Sequence, residues 1–477
     1  MMKFLWLPAV LAGAALPLAA VETAPIFSDF MVLQRDTPVR VWGSGRPGEE
    51  VKVTFAKAPA VSATVDAKGD WKVELPAQAA SDQPATLTVA GDNTLAFLGV
   101  LVGDVWLCAG QSNMQFNLKS ATGGAQLVAA AGDPALRLYQ VPRIWSRTPE
   151  KKLYAKWQLC TPETVGNFTA VGYLAGRDIQ KAVGVPVGLV DISWGGCRIE
   201  AMSARESFAQ FPTLKETAKS VESQIADMNA KKDEELRKDK QRLPTALFNA
   251  MVHPLMPFAV KGMLWYQGED NHYEGAIYTE KLKALAWSWR TGFENPKMPI
   301  YIIQLPPYRY NKEHPFRLPE FKAAQQRFAV NDPDSGFVTA TDCGLTEDIH
   351  PRDKVPLAAR LAKLVLFKTY GIGGDEALAP EFLRATPKDG ALEVEFLHPN
   401  GLKTRDGKPV SDLMLAGKND VFQPATGVVE NDRLVVRSDK VAKPVRVRFG
   451  WDQVADPNLV NRAGVPAATF DSAVPVR

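Results

Sequence analysis

The sequence predicts an α/β protein: a parallel β-sheet covered by helices on both faces, flanked by a β-rich segment at either end. Two observations carry that prediction. Between about 101 and 373, short apolar runs recur with helical stretches between them, the pattern of strands buried on both faces. At 21–100 and 374–477, apolar and polar residues alternate in short runs broken by turn residues, with no long helical stretch. Composition sets the outer bounds. Hydrophobic residues make up 46% and charged residues 23%, which excludes a mostly disordered chain. The 56 Lys+Arg against 53 Asp+Glu leave a net charge of +3, no basis for holding nucleic acid through its phosphates. Four cysteines in 477 residues exclude a disulfide-framed scaffold, and a chain this long can bury a core that needs no staples.

The elements follow in order. Met1-Met2-Lys3 precedes an apolar run from Phe4 to Leu18, and Leu18-Ala19-Ala20 supplies small residues for cleavage. Residues 1–20 therefore read as a signal peptide. Pro8, Gly13 and Pro17 interrupt the run, which falls short of the roughly 20 apolar residues of a spanning helix. The expectation is export, secreted or periplasmic, with no membrane span. In the segment 21–100, Val39–Trp42, Val51–Phe55, Val61–Val65 and Trp71–Leu75 alternate as strands of a small sandwich-like domain. In the central segment 101–373, strands are expected at Asp104–Ala109, Pro186–Val190, Gly262–Tyr266, Pro299–Ile303 and Gly336–Ala340. Helices are expected at Val171–Val183, Ile277–Phe293, Leu318–Val330 and Lys354–Tyr370. Ser203–Arg242 is a polar helical insertion whose mixed charge run reads as a solvated face. Strands return after about 374, at Leu392–Phe396, Leu434–Arg437 and Val445–Phe449.

In an open parallel sheet, ligands bind where strands end and loops lead to helices. Four such loops carry unusual residues. Gly110-Gln-Ser-Asn-Met114 sets a serine at a strand-to-helix turn, as a nucleophile beside free N–H groups or as a plain N-cap. Asp191-Ile-Ser-Trp-Gly-Gly-Cys-Arg-Ile-Glu200 offers glycines whose backbone N–H can approach a ligand, or a tight turn. Trp265-Tyr-Gln-Gly-Glu-Asp-Asn271 packs amides and acids together. There Gln267 could donate to an oxyanion, and Glu269 and Asn271 could anchor loops or hold sugar hydroxyls. Thr341-Asp-Cys-Gly-Leu-Thr-Glu-Asp-Ile-His-Pro351 carries the one histidine of five that lies beside acids at a strand end, His350. Together these are the parts of an acyl-transfer site: nucleophile, base, N–H donor and amide.

Those four blocks, with Glu200 and Lys354, resemble the sialate O-acetylesterase family of the SGNH hydrolases. The resemblance extends to Pro25–Gln34, Leu247–Leu255, Asn458–Asn461 and Gly464–Ala467, nearly the whole chain after the leader. It implies a three-layer α/β/α domain and a serine esterase that removes O-acetyl groups from sugars. Ser112 would be the nucleophile and His350 the general base. The oxyanion would sit on the Ser112 N–H, a glycine N–H from Gly195 or Gly196, and the amide of Gln267, with Asn271 in reserve. Asp348 is the acid of this family's block. Glu347 holds the wider superfamily's position, and a Ser–His dyad is the third option. Gln111, Asn113, Arg198, Glu269 and Asn271 are expected to contact substrate, an O-acetylated glycan. No metal or organic cofactor is implied.

Arg198 departs from the small or proline residue expected there, and a cation suits the carboxylate of sialic acid. Three rivals stay open: an acetylesterase of xylan-type polysaccharide, a non-catalytic glycan-binding protein, and a glycosidase using Glu269 as acid. Cys108, Cys197 and Cys343 flank the site loops, as free thiols or a pair.

Overall fold

The computed structural model describes residues 20–236, 238–310 and 313–477. The leader read at 1–20 lies, apart from its last residue, outside them.

Seven strands form the central sheet: β1 (Thr94–Gly110), β2 (Asp133–Gln140), β3 (Trp157–Cys160), β4 (Val187–Ser193), β5 (Gly262–Tyr266), β6 (Ile300–Ile303) and β7 (Gly336–Val338). Their order is β3-β2-β4-β1-β5-β6-β7. Every neighbouring pair is parallel except β3 with β2. Every residue of β4 through β7 is buried, as continuous apolar runs require.

The sheet is mixed, not parallel throughout, because β3 runs antiparallel at one edge and because β1 begins outside the central sheet. The first half of β1 alternates exposed and half-buried residues, then every residue from Val100 to Gly110 is buried. The first half pairs antiparallel with Ser81–Ala90, which continues through Glu50–Phe55 to Val61–Thr64, and Val32–Gln34 joins β1 in parallel. One strand therefore serves both the amino-terminal β segment and the central sheet. The division expected between residues 100 and 101 falls inside it, and one hydrophobic core runs from Val21 into the central helices. Helices lie close to where the sequence places them, at α2 (Ala170–Val183), α4 (Ile277–Gly292), α5 (Arg317–Asn331) and α6 (Val355–Val365), the last passing into a π turn over Leu366–Tyr370; α1 (Ser112–Gln115) and α3 (Lys215–Ala230) are further helices.

α3 lies in the polar insertion, but the insertion has an interior. Phe208, Leu214, Val221, Ile225 and Met228 pack together against Ala284 of α4. At the carboxyl end of the chain, two four-stranded sheets surround a separate core that includes Leu392, Val394, Leu434, Val447 and Phe449. Among the described residues no helix is long and apolar enough to cross a membrane.

Candidate active site

The four loops converge at the carboxyl ends of β1, β4, β5 and β7. β1 ends on Gly110 with φ +144°, and a Cβ there would lie 2.1 Å from the Tyr266 carbonyl oxygen. Only glycine allows β5 to pass this close, which seats the following serine directly beside the third loop. Ser112 opens α1 and is half-buried. Its Oγ lies 2.8 Å from Nε2 of His350 on the fourth loop.

For Nε2 to accept the serine proton, the neutral ring must carry its own proton on Nδ1. Asp348 does not bond to that nitrogen. Its Oδ1 accepts the backbone N–H of His350 at 2.9 Å, a short turn in which the side chain serves the main chain two residues on. Glu347 is exposed and pairs with Arg309 at 3.2 Å. Among the described residues no carboxylate accepts from the imidazole, so Asp348 acts on the ring through loop geometry and charge. Burial first, and then the positive charge of Lys354, hold the His350 pKa below the ordinary histidine value, and the Asp348 charge opposes them.

Asn113, expected to face substrate, is completely buried and ties three loops. Its Nδ2 donates to Glu269 Oε1 at 2.5 Å and to the Ile349 carbonyl at 3.0 Å, while Oδ1 accepts from Lys354 Nζ at 2.7 Å. Both donors are thereby used. Burial pushes the Glu269 carboxyl up and the Lys354 ammonium down to about 8. The ammonium also lies over the rings of Phe116 and Tyr266, at 5.0 and 5.6 Å, aromatic faces that attract a cation and offset part of the cost of its burial.

Gln111 likewise points inward, its Oε1 accepting the Gly268 N–H at 3.0 Å. Gln267, expected in the oxyanion site, is fully buried and spends Nε2 on the Cys197 carbonyl and on Asn271 Oδ1, at 3.1 and 2.8 Å. Its Oε1 accepts from the Tyr278 hydroxyl. Asn271 Oδ1 also accepts the Ile199 N–H, and its Nδ2 donates to Glu200, which pairs with buried Lys281. Neither amide points a free donor at the serine, because each is consumed in holding the second and third loops together.

Gly195 abuts the nucleophile: a Cβ there would stand 3.3 Å from Ser112 Cβ. Its N–H is already given to Gln115 Oε1 at 2.6 Å. Among the described residues nothing accepts the N–H of Ser112 or of Gly196. Gln115 lies outside the residues expected in the site; its signal in the sequence is the spacing of three from Ser112, which puts both on one face of a helical turn. Arg198 is half-buried at the rim, with Nε on Asp270 Oδ2 at 2.8 Å. Asp270 Oδ1 accepts from Arg242 at 2.7 Å. The four cysteines are free thiols.

A serine hydroxyl held by a histidine across two strand-end loops of an α/β sheet is the arrangement of a serine hydrolase. The family described as carbohydrate esterase, sialic acid-specific acetylesterase, matches residues 102–366. Sialate O-acetylesterase of Mus musculus is 29% identical over 90% of this chain and 89% of its own length. The Homo sapiens protein of the same name is 28% identical over 90% and 87%. The crystal structure of a carbohydrate acetylesterase from Xanthomonas citri superposes with a TM-score of 0.84 at 36% identity, covering 95% of this chain and 99% of that one. The chain belongs to this carbohydrate esterase family. It is a carboxylic ester hydrolase that removes acetyl groups from carbohydrate.

Proposed function

We propose that deacetylation proceeds through an acyl-serine intermediate on Ser112, with His350 as the general base and Asp348 as a supporting charge. The observation that carries this is the 2.8 Å contact between Ser112 Oγ and His350 Nε2. His350 Nε2 takes the hydroxyl proton as Oγ attacks the acetyl carbonyl. The oxyanion rests on the backbone N–H groups of Ser112 and Gly196. Collapse of the adduct breaks the ester bond to the sugar, and the imidazolium returns the proton to the departing sugar oxygen. Water, activated by the same nitrogen, then releases acetate. The base must be neutral at the start, and its lowered pKa keeps it so near neutral pH.

The substrate class is an O-acetylated sialic acid, supported by the two mammalian relatives and by Arg198, whose terminal nitrogens have no hydrogen-bond partner among the described residues. The central segment is read as a three-layer α/β/α unit. Supporting this are the packing of α2 on α6 and of α4 on α5 and the strand order of the sheet. The segments 21–100 and 374–477 brace it, the first through β1. The leader read at 1–20 sends the enzyme out of the cytoplasm.

The test is acetate release from O-acetylated sialic acid, with acetylated xylan as the competing substrate, by wild type and Ser112→Ala. Loss of at least ~10⁴-fold is expected in the variant. Retained activity overturns the serine mechanism, and preference for xylan overturns the substrate.

A further inference from the structure

We propose that Gln115 is a positioning residue for the oxyanion site: its carboxamide oxygen clamps the Gly195 N–H, so that the Gly196 N–H and the Ser112 N–H are left together to receive the developing charge. The inference rests on the acyl-serine reading above. A backbone N–H can only donate, so the 2.6 Å contact places the amide oxygen, not the nitrogen, against Gly195. Ser112 and Gln115 lie one turn apart on α1 and touch the same glycine. A Cβ on Gly195 would stand 3.3 Å from Ser112 Cβ and 3.3 Å from Gln115 Oε1. The nucleophile's own helix thus carries the tie that fixes the second loop relative to the nucleophile.

This tie matters because the buried amides of the third loop are spent elsewhere. Gln267 and Asn271 bind the far side of the second loop, through the Cys197 carbonyl and the Ile199 N–H. The near side, facing the serine, is held by Gln115. Gly196 has φ +70°, the left-handed position of the turn that the Cys197 N–H closes on the Trp194 carbonyl at 3.3 Å, so the clamped Gly195 lies inside a tight reversal of the loop. Without the clamp, Gly195 is held only through its flanks, the Trp194 N–H on the Gly110 carbonyl at 3.1 Å on one side and the Cys197 and Ile199 contacts on the other, and a glycine pair is the most freely rotating peptide in the loop. Displacement of an oxyanion donor by about 1 Å costs on the order of 10²-fold in rate.

The experiment compares Gln115→Ala, Gln115→Met and Gln115→Glu with wild type and Ser112→Ala, reading kcat and KM for acetate release together with the thermal midpoint. Gln115→Ala and Gln115→Met are expected to lose about 10²-fold in kcat, with KM changed by less than about threefold and the midpoint held. Gln115→Glu is expected to restore kcat to within about fivefold of wild type, because a carboxylate oxygen accepts the same N–H. An unchanged or higher kcat in Gln115→Ala overturns the inference, the second result marking the glutamine as an obstruction. Equal losses in the Ala and Glu variants overturn it as well. A fully active Ser112→Ala overturns the acyl-serine reading itself, whereas loss in Ser112→Ala with full activity in Gln115→Ala overturns the inference alone.

Discussion

Two layers of the same site are built on different terms. Beneath the nucleophile, Gln111, Asn113, Gln267 and Asn271 are buried, and their amides are spent on other loops. At the rim, Ser112, Gln115, Gly195, Gly196, Arg198 and His350 are half-buried; Gln115 and Gly195 hold each other, and the other four keep atoms free for substrate. The lower layer is where most of the polar residues of the four blocks go. Loops that leave separate strands have no ladder to fix their spacing, so buried amides, each with donor and acceptor, supply the cross-links. The chemistry is left to very few atoms above them, whose accuracy is inherited from below.

The comparison breaks most visibly at Asn113. Replacing it with alanine removes all three of its bonds and leaves Lys354 and Glu269 buried without their shared bridge. An uncompensated buried charge of this kind costs about 3 kcal/mol or more. Asn113→Ala is therefore expected to lower the urea midpoint clearly and to cut kcat as well, because the Ile349 carbonyl it holds is adjacent to His350. A variant as stable as wild type would mean that the lower layer is not structural.

The two charges around His350 sharpen the same contrast through pH. Lys354 lowers the histidine pKa and Asp348 raises it, and catalysis needs the unprotonated ring. Lys354→Met relieves the imidazolium, so the acid limb of kcat/KM is expected to move to higher pH. Asp348→Asn removes the counter-charge, so that limb is expected to move to lower pH, while the amide oxygen still accepts the His350 N–H. Its loss in kcat is expected to be about tenfold, far less than the ~10⁴-fold seen where an acid orients the ring directly. Shifts in the same direction would refute this account of the electrostatics.

Legibility in the sequence followed the same division. Strands β4 to β7 and the long helices announced themselves because burial on both faces, or on one stripe, leaves a local pattern. β2 and β3 did not, since an edge pair keeps exposed residues and mixes its signal: Gln158 and Leu159 of β3 are exposed between buried Trp157 and Cys160. β1 was cut at residue 100 because one strand changes its surroundings halfway, and the change in texture looks like a boundary. Ser112 and His350 were legible from the scarcity of histidine and the placement of both at strand ends. The roles of the amides were not, because a side chain's chemistry is local but its partner is not: Asn113 and Lys354 are 241 residues apart, and Gln267 and Cys197 are 70 apart. An amide that can hold a sugar hydroxyl can equally hold a loop, and only the fold decides between them.

The smallest effect is expected at the rim, where Arg198 meets the substrate in the proposed reading. Asp270 accepts from Arg198 Nε and from Arg242, and Arg242 also pairs with Asp239, so the terminal nitrogens of Arg198 are left for a further anion. Arg198 is also packed beside the Tyr273 ring at 5.7 Å and lines a cavity of about 340 Å³ in which Arg198, Arg242 and Lys281 face Glu200, Glu216 and Glu274. An anionic sugar reaching this corner gains a partly solvated ionic contact, worth about 0.5–1 kcal/mol. Arg198→Ala is therefore expected to raise KM for O-acetylated sialic acid by about two- to fivefold, with kcat unchanged and KM for acetylated xylan unmoved. The selectivity is diagnostic: a rise in KM for both substrates would assign Arg198 to bracing Asp270 and the third loop, which would place it with the buried amides and not with the groups that read the sugar.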